Sequence, residues 1–173
     1  VVSFSVFIAV HGERTLFATA DNYPFIIRHL PLYALMTILL AVLASAFLGA
    51  LRGMQKLSQR WSGWWRAGVG GLGVGLLAML GVVFVDPSVG MGVLGGGYGA
   101  TRAAITGAPW VGTGGHAIAI LLALCAARLV ASALTVGTGA SAGVFAPSLT
   151  VGALFGGAFG HAMQYMWSDP TID

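Results

Sequence analysis

The sequence predicts an all-α, polytopic membrane protein with broken and re-entrant helices, and three observations carry that prediction. Of its 173 residues 57% are hydrophobic and only 8% are charged, where a soluble domain carries roughly 25% charged residues. Several apolar runs are long enough to cross a bilayer. The 27 glycines gather partly in breaks that divide those runs into unequal pieces. A chain this apolar has too little polar surface to face water, so its solvent is mainly lipid.

Residues 1–10 are apolar but too short to span, and they read as the end of a preceding helix. With no charged leader and no cleavage site they are not a signal peptide, and both chain ends read as cuts through a longer protein. The stretch 11–31 is polar, with Glu13, Arg14, Asp21, Asn22 and Arg28, and Pro31 closes it. Leu32–Leu51 is twenty residues without a charge, about 30 Å of helix and one bilayer core. The span is drawn over 32–57. Arg52, Lys56, Arg60 and Arg66 follow with no acid among them, interleaved with Trp61, Trp64 and Trp65. Basic residues in short loops favour the cytoplasmic side and tryptophan the headgroup layer, so a 52–66 loop is expected in the cytoplasm and 11–31 outside.

A second span covers 67–85, with glycines at 68, 70, 71, 73, 75 and 81; small residues let membrane helices approach closely. Asp86-Pro87 ends it. From Ser88 to Gly115 the chain is glycine-rich, with one short partial helix at 98–107. Irregular backbone at membrane depth survives only where protein or a watery cavity surrounds it. A third span, 116–136, carries Arg128 in its middle, and a charge there costs at least roughly 2.5 kcal/mol. Arg128 either faces a pore and adds positive potential, or snorkels or pairs with a carbonyl. After a small-residue break at 137–143, a fourth span covers 144–167.

That last break carries the chemistry. Pro147 suits the first turn of a helix, where its missing N–H is no loss, so a helix begins near Val144 or Phe145 in the middle of an apolar section. A helix N-terminus presents unpaired N–H groups and about half a positive charge. At membrane depth with no acid nearby, Gly143, Val144, Phe145 and Ala146 then form an anion site from backbone alone. Weak, cation-free binding of this kind suits an ion that must also leave. The residues equally allow a tight helix–helix turn with glycines for packing.

Other residues fit bland roles. The formal charge of +3 is dispersed, with no aromatic-basic stripe for nucleic acid. Cys125, the only cysteine, reads as an inert buried thiol. His116 and His161 have no carboxylate or cysteine cluster around them, so no metal or other cofactor is expected. Gly152, Gly156 and Gly160 form a small-residue stripe expected to be a close-packing face, and Tyr165 and Trp167 suit an interfacial belt.

Gly143-Val144-Phe145-Ala146-Pro147 resembles the Gly-x-Phe-x-Pro signature of the CLC family of chloride channels and proton/chloride exchangers. Val93-Leu94-Gly95-Gly96-Gly97-Tyr98-Gly99 resembles that family's Gly-x-Gly-Tyr segment, and the order of spans from 32 to 167 is similar. The resemblance implies a fold of two inverted halves, of which this chain holds the end of the first and most of the second, working in the bilayer as a homodimer with one pore per subunit. It implies chloride as the transported ligand, protons as a second one in an exchanger, and backbone amides at Val144 and Phe145 as the central anion contacts. The family's Gly-Ser-Gly-Ile-Pro loop, late-helix tyrosine, gating glutamate and inner proton-path glutamate have no match here, since Glu13 fits neither acidic position. Channel and exchanger therefore stay undecided, and the chain alone is not expected to make a complete pore. Ala142 stands where the family often has glycine.

Two rival readings belong to other classes. Gly139-Ala140-Ser141-Ala142 resembles the Gly-x-Ser-Gly nucleophile motif of rhomboid intramembrane proteases, with His161 as its base. The final glycine is missing, and His161 falls roughly 20 Å or more along one helix from the serine, beyond reach of a nucleophile. No enzyme is therefore expected. A purely structural bundle explains the glycines but not a proline-started helix at mid-membrane.

Overall fold

The computed structural model describes residues 27–61, 63–84, 93–140 and 143–167. The expectations for 1–10, for most of 11–31, for Asp86-Pro87 and for Ser141 and Ala142 lie outside them. Among the described residues the structure is helical throughout, without strands. The α-helices are α1 (Leu30–Ser58), α2 (Gly63–Phe84), α3 (Tyr98–Thr106), α4 (Gly114–Gly137) and α5 (Phe145–Trp167), with 3-10 turns at Ile27–His29 and Pro109–Val111.

Three helices are long and apolar enough to cross a membrane, within α1, α2 and α4. α5 has the length, at 23 residues, but is not among the three. Its glycines, Ser148, Thr150, His161 and Gln164 dilute an otherwise apolar sequence.

α4 is the centre of the bundle. Half of its most apolar window is buried (50%), against 11% for α1 and for α2. It packs on α1, α2 and α5, while α3 packs on α5. The main core joins Ala117, Ile120, Leu121, Leu124 and Cys125 of α4 to Val151, Leu154 and Ala158 of α5, with Ala100 and Ala103 of α3. Cys125 is buried as expected, its Sγ 3.6 Å from the Val151 carbonyl. The outer faces of α1 and α2 expose Ile38, Val42, Leu72, Leu76 and Met79, an arrangement that water would penalise and lipid does not.

The stretch 52–66, expected as a loop, is helical at both ends. α1 continues through Lys56 to Ser58 and α2 starts at Gly63. Lysine, arginine and glutamine are good helix formers, and Lys56 in the last turn of α1 favours the carbonyl end of the helix. Tertiary bonds then hold the corner. The buried Ser58 hydroxyl donates to the Gly137 carbonyl at 2.6 Å, and Arg66 Nη2 donates to Ser58 Oγ at 3.1 Å.

The glycine stripe of α5 also differs from expectation. A Cβ built on Gly152 or Gly160 meets nothing within 4 Å, and on Gly156 it meets only the tip of Met36 at 3.4 Å. The close approach falls at Gly157, against the Ala104 carbonyl at 3.3 Å and Leu121 at 3.4 Å. Gly152, Gly156 and Gly160 instead floor an open groove of about 1020 Å³ between α1, α3 and α5.

Candidate functional site

The first turn of α5 forms one wall of a cavity of about 540 Å³. Gly143, Phe145, Ala146 and Pro147 line it, opposite Val93, Gly95 and Gly96 of the glycine-rich segment and Arg128, Ser132 and Thr135 of α4. Among the described residues the first hydrogen bond of this turn runs from the Ser148 N–H to the Val144 carbonyl at 3.1 Å. The amides of Phe145 and Ala146 therefore precede the bonded ladder, and proline contributes none at 147. Phe145 is 76% exposed, whereas Ala146 is half-buried and Pro147 buried, so the turn is open on the Phe145 side. Three of the four candidate residues thus share one cavity. Val144 does not: it borders a separate apolar pocket with Leu40, Phe47 and Val151.

The segment that carries the opposite wall owes its shape to glycine, with Gly95 of the wall at φ 62°. Gly97 caps α3 in the left-handed region at φ 75°, and Gly107 ends the helix at φ 64°, conformations that cost a residue with a side chain. The nine-residue α3 is about 13 Å long, too short to cross.

Polar bonds that no local pattern announces tie the two walls together. The fully buried Thr150 hydroxyl lies 3.0 Å from the Ala146 carbonyl on its own helix and 3.3 Å from the Gly96 carbonyl across the cavity wall. Thr101 of α3 donates to Thr150 Oγ1 at 3.1 Å, with the Gly97 carbonyl at 3.2 Å. Two hydroxyls thus share their protons among carbonyls of the glycine segment and the α5 turn. Thr150→Val keeps the shape and removes one of them. It is expected to cost about 1–3 kcal/mol, read as a lowered thermal midpoint in detergent, with Thr150→Ser restoring most of it.

Arg128 is 4% exposed. Its Nη1 donates to the Val93 carbonyl and its Nη2 to the Gly95 carbonyl, both at 2.6 Å. The carbonyl-paired reading of this residue holds, and the same side chain belongs to the cavity lining. Among the described residues no group of three or more His, Cys, Asp or Glu is placed to hold a metal ion. His161 lies toward the far end of α5, roughly 24 Å from Phe145 at about 1.5 Å per residue, on the open groove with Gln164. Ser141 lies outside the described residues.

A relative named H(+)/Cl(-) exchange transporter ClcA, from Cronobacter sakazakii, is 30% identical over 169 residues, covering 94% of this chain and 32% of the relative. ClcA of Vibrio parahaemolyticus is 45% identical over 65 residues, covering 38% of this chain and 14% of the relative. ClcA of Vibrio campbellii is 38% identical over 65 residues, with the same coverage of 38% and 14%. The chain thus spans a third or less of the length of these relatives. No solved structure matches it. The family model described as voltage gated chloride channel matches residues 1–173, and the chain belongs to that family.

Proposed function

We propose that this chain is part of a chloride-transporting membrane protein, in which chloride passes the N-terminus of α5 and is held by backbone amides of Gly143, Val144, Phe145 and Ala146 rather than by a cofactor. One observation carries the reading: a helix N-terminus whose first amides have no backbone partner among the described residues opens onto a cavity whose described lining contains no carboxylate. Such an end offers N–H donors and partial positive charge to an anion. Phe145 and Ala146 are its main donors, and Val144 contributes through its position at the start of the turn.

The names of the relatives favour chloride as the ion and protons as its exchange partner. α5 completes the set of crossings with α1, α2 and α4, and the protein works as a homodimer. The basic corner around Arg52, Lys56, Arg60 and Arg66 lies on the cytoplasmic side.

Reconstituting the whole protein in liposomes and recording chloride efflux with external pH tests the reading. Efflux coupled to proton movement identifies an exchanger, and efflux without it a channel. Absence of chloride efflux overturns the chloride reading. The site itself is tested by Phe145→Pro, which deletes one amide at the first helical position, where proline is tolerated. Losing a hydrogen bond to a charged ligand is worth about 1.5–3 kcal/mol, so chloride affinity is expected to fall about 10- to 100-fold.

A further inference from the structure

We infer that Arg128 is the fixed counter-charge of the anion site, and that the anion in the cavity is what neutralises it. The inference rests on the reading of that cavity as an anion site.

The first support is the manner of Arg128's burial. Its two terminal nitrogens bond carbonyls of residues 93 and 95, which satisfies donors but leaves the unit charge in place. Nε is buried and has no hydrogen-bond partner among the described residues. A buried charge is costly unless it is paired.

The second support is the absence of a carboxylate. The chain has five acidic residues, Glu13, Asp21, Asp86, Asp169 and Asp173, and none lies among the described residues. Among the described residues, therefore, no carboxylate compensates the guanidinium.

The third support is placement. Arg128 and the first turn of α5 line the same cavity, so a buried cation and a helix N-terminus converge on one space. The glycine segment fits closely around the guanidinium, since a Cβ on Gly97 would stand 3.1 Å from Arg128 Cζ. Arg66 also has a buried Nε without a partner among the described residues, but it is absent from this cavity and bonds the α1–α2 corner instead. A guanidinium held off by its own carbonyl bonds attracts an ion without gripping it, which suits an ion that must move on.

The test uses the whole protein in detergent, titrated with chloride by calorimetry, for the wild type, Arg128→Gln and Arg128→Lys. Removing the charge is expected to weaken chloride binding about tenfold or more, while lysine, which keeps the charge but cannot hold both carbonyls, is expected to lose distinctly less. Unchanged affinity in Arg128→Gln overturns the inference, as does an equal loss in Arg128→Lys, which assigns the residue to loop geometry alone. Crystals of the wild-type protein soaked in bromide decide the matter if Arg128→Gln does not fold. Anomalous density about 4–6 Å from the guanidinium supports the inference. A cavity without bromide, with Asp86 seated against Arg128, overturns it. A wild-type protein that binds neither halide overturns the proposed function as well, a result distinct from a variant that binds normally.

Discussion

Gly97→Ala is expected to lower stability by about 2–5 kcal/mol and to abolish the proposed chloride transport. Gly97 sits at φ 75° and ψ 8°, where an L-residue costs roughly 1–2 kcal/mol. Its Cβ would stand 2.7 Å from Thr150 Oγ1, 2.9 Å from Thr150 Cγ2 and 3.1 Å from Arg128 Cζ. Neither neighbour is free to yield. Thr150 is pinned between the carbonyls of Gly96 and Ala146, and Arg128 between those of Val93 and Gly95. Overpacking against fixed groups adds about 1–3 kcal/mol. Arg128 lines the cavity and Thr150 bonds the Ala146 carbonyl of the lining turn, so the damage reaches the α5 turn. Gly99→Ala is the control two residues on, where a Cβ meets nothing within 4 Å. Within α3 that change is neutral or stabilising by up to about 1 kcal/mol. Thermal unfolding in detergent and liposome efflux read both variants; normal transport in Gly97→Ala would show that the close fit of Gly97 against Thr150 and Arg128 is dispensable for the site.

The helical class was legible because lipid imposes it. Long charge-free runs have no other way to satisfy their backbone at membrane depth. The helix start at Phe145 was legible from Pro147 and the glycines before it, since both are local signals. What escaped was three-dimensional. Thr101 and Thr150 are separated by 49 positions, so nothing in the neighbourhood of either announces their bond. Val144 lies just before the helix, so helical phase does not fix its direction, and it borders α1 rather than the shared cavity. The basic stretch 52–66 reads as a loop by charge alone, although the same residues extend a helix beyond the apolar core. The stripe Gly152, Gly156 and Gly160 marks a face correctly but not its occupant, because close packing falls on Gly157. Arg128 showed its cost in the sequence and its partners only in the fold.

Gly70→Leu is expected to destabilise the bundle by about 3 kcal/mol or to prevent its assembly, whereas Gly71→Leu changes little. The two residues are neighbours on α2 with the same propensity, so only direction separates them. A Cβ on Gly70 would collide with the Thr138 side chain and stand 2.9 Å from the Leu134 carbonyl. The Thr138 hydroxyl cannot swing aside cheaply, because it donates to that same carbonyl at 2.6 Å. Gly73, three residues on, continues the contact, with its Cβ position 3.0 Å from Leu134 Cδ1. This is the i, i+3 face on which α2 meets α4, and small residues there let the backbones approach. A Cβ on Gly71 meets nothing within 4 Å, so its leucine projects away from α4 and adds apolar surface suited to lipid. Heating detergent-solubilised protein while following the tryptophan signal separates the two variants. Equal damage from both would mean that the far side of α2 is itself covered by protein, which would turn its exposed Leu72, Leu76 and Met79 from a lipid face into a packing face.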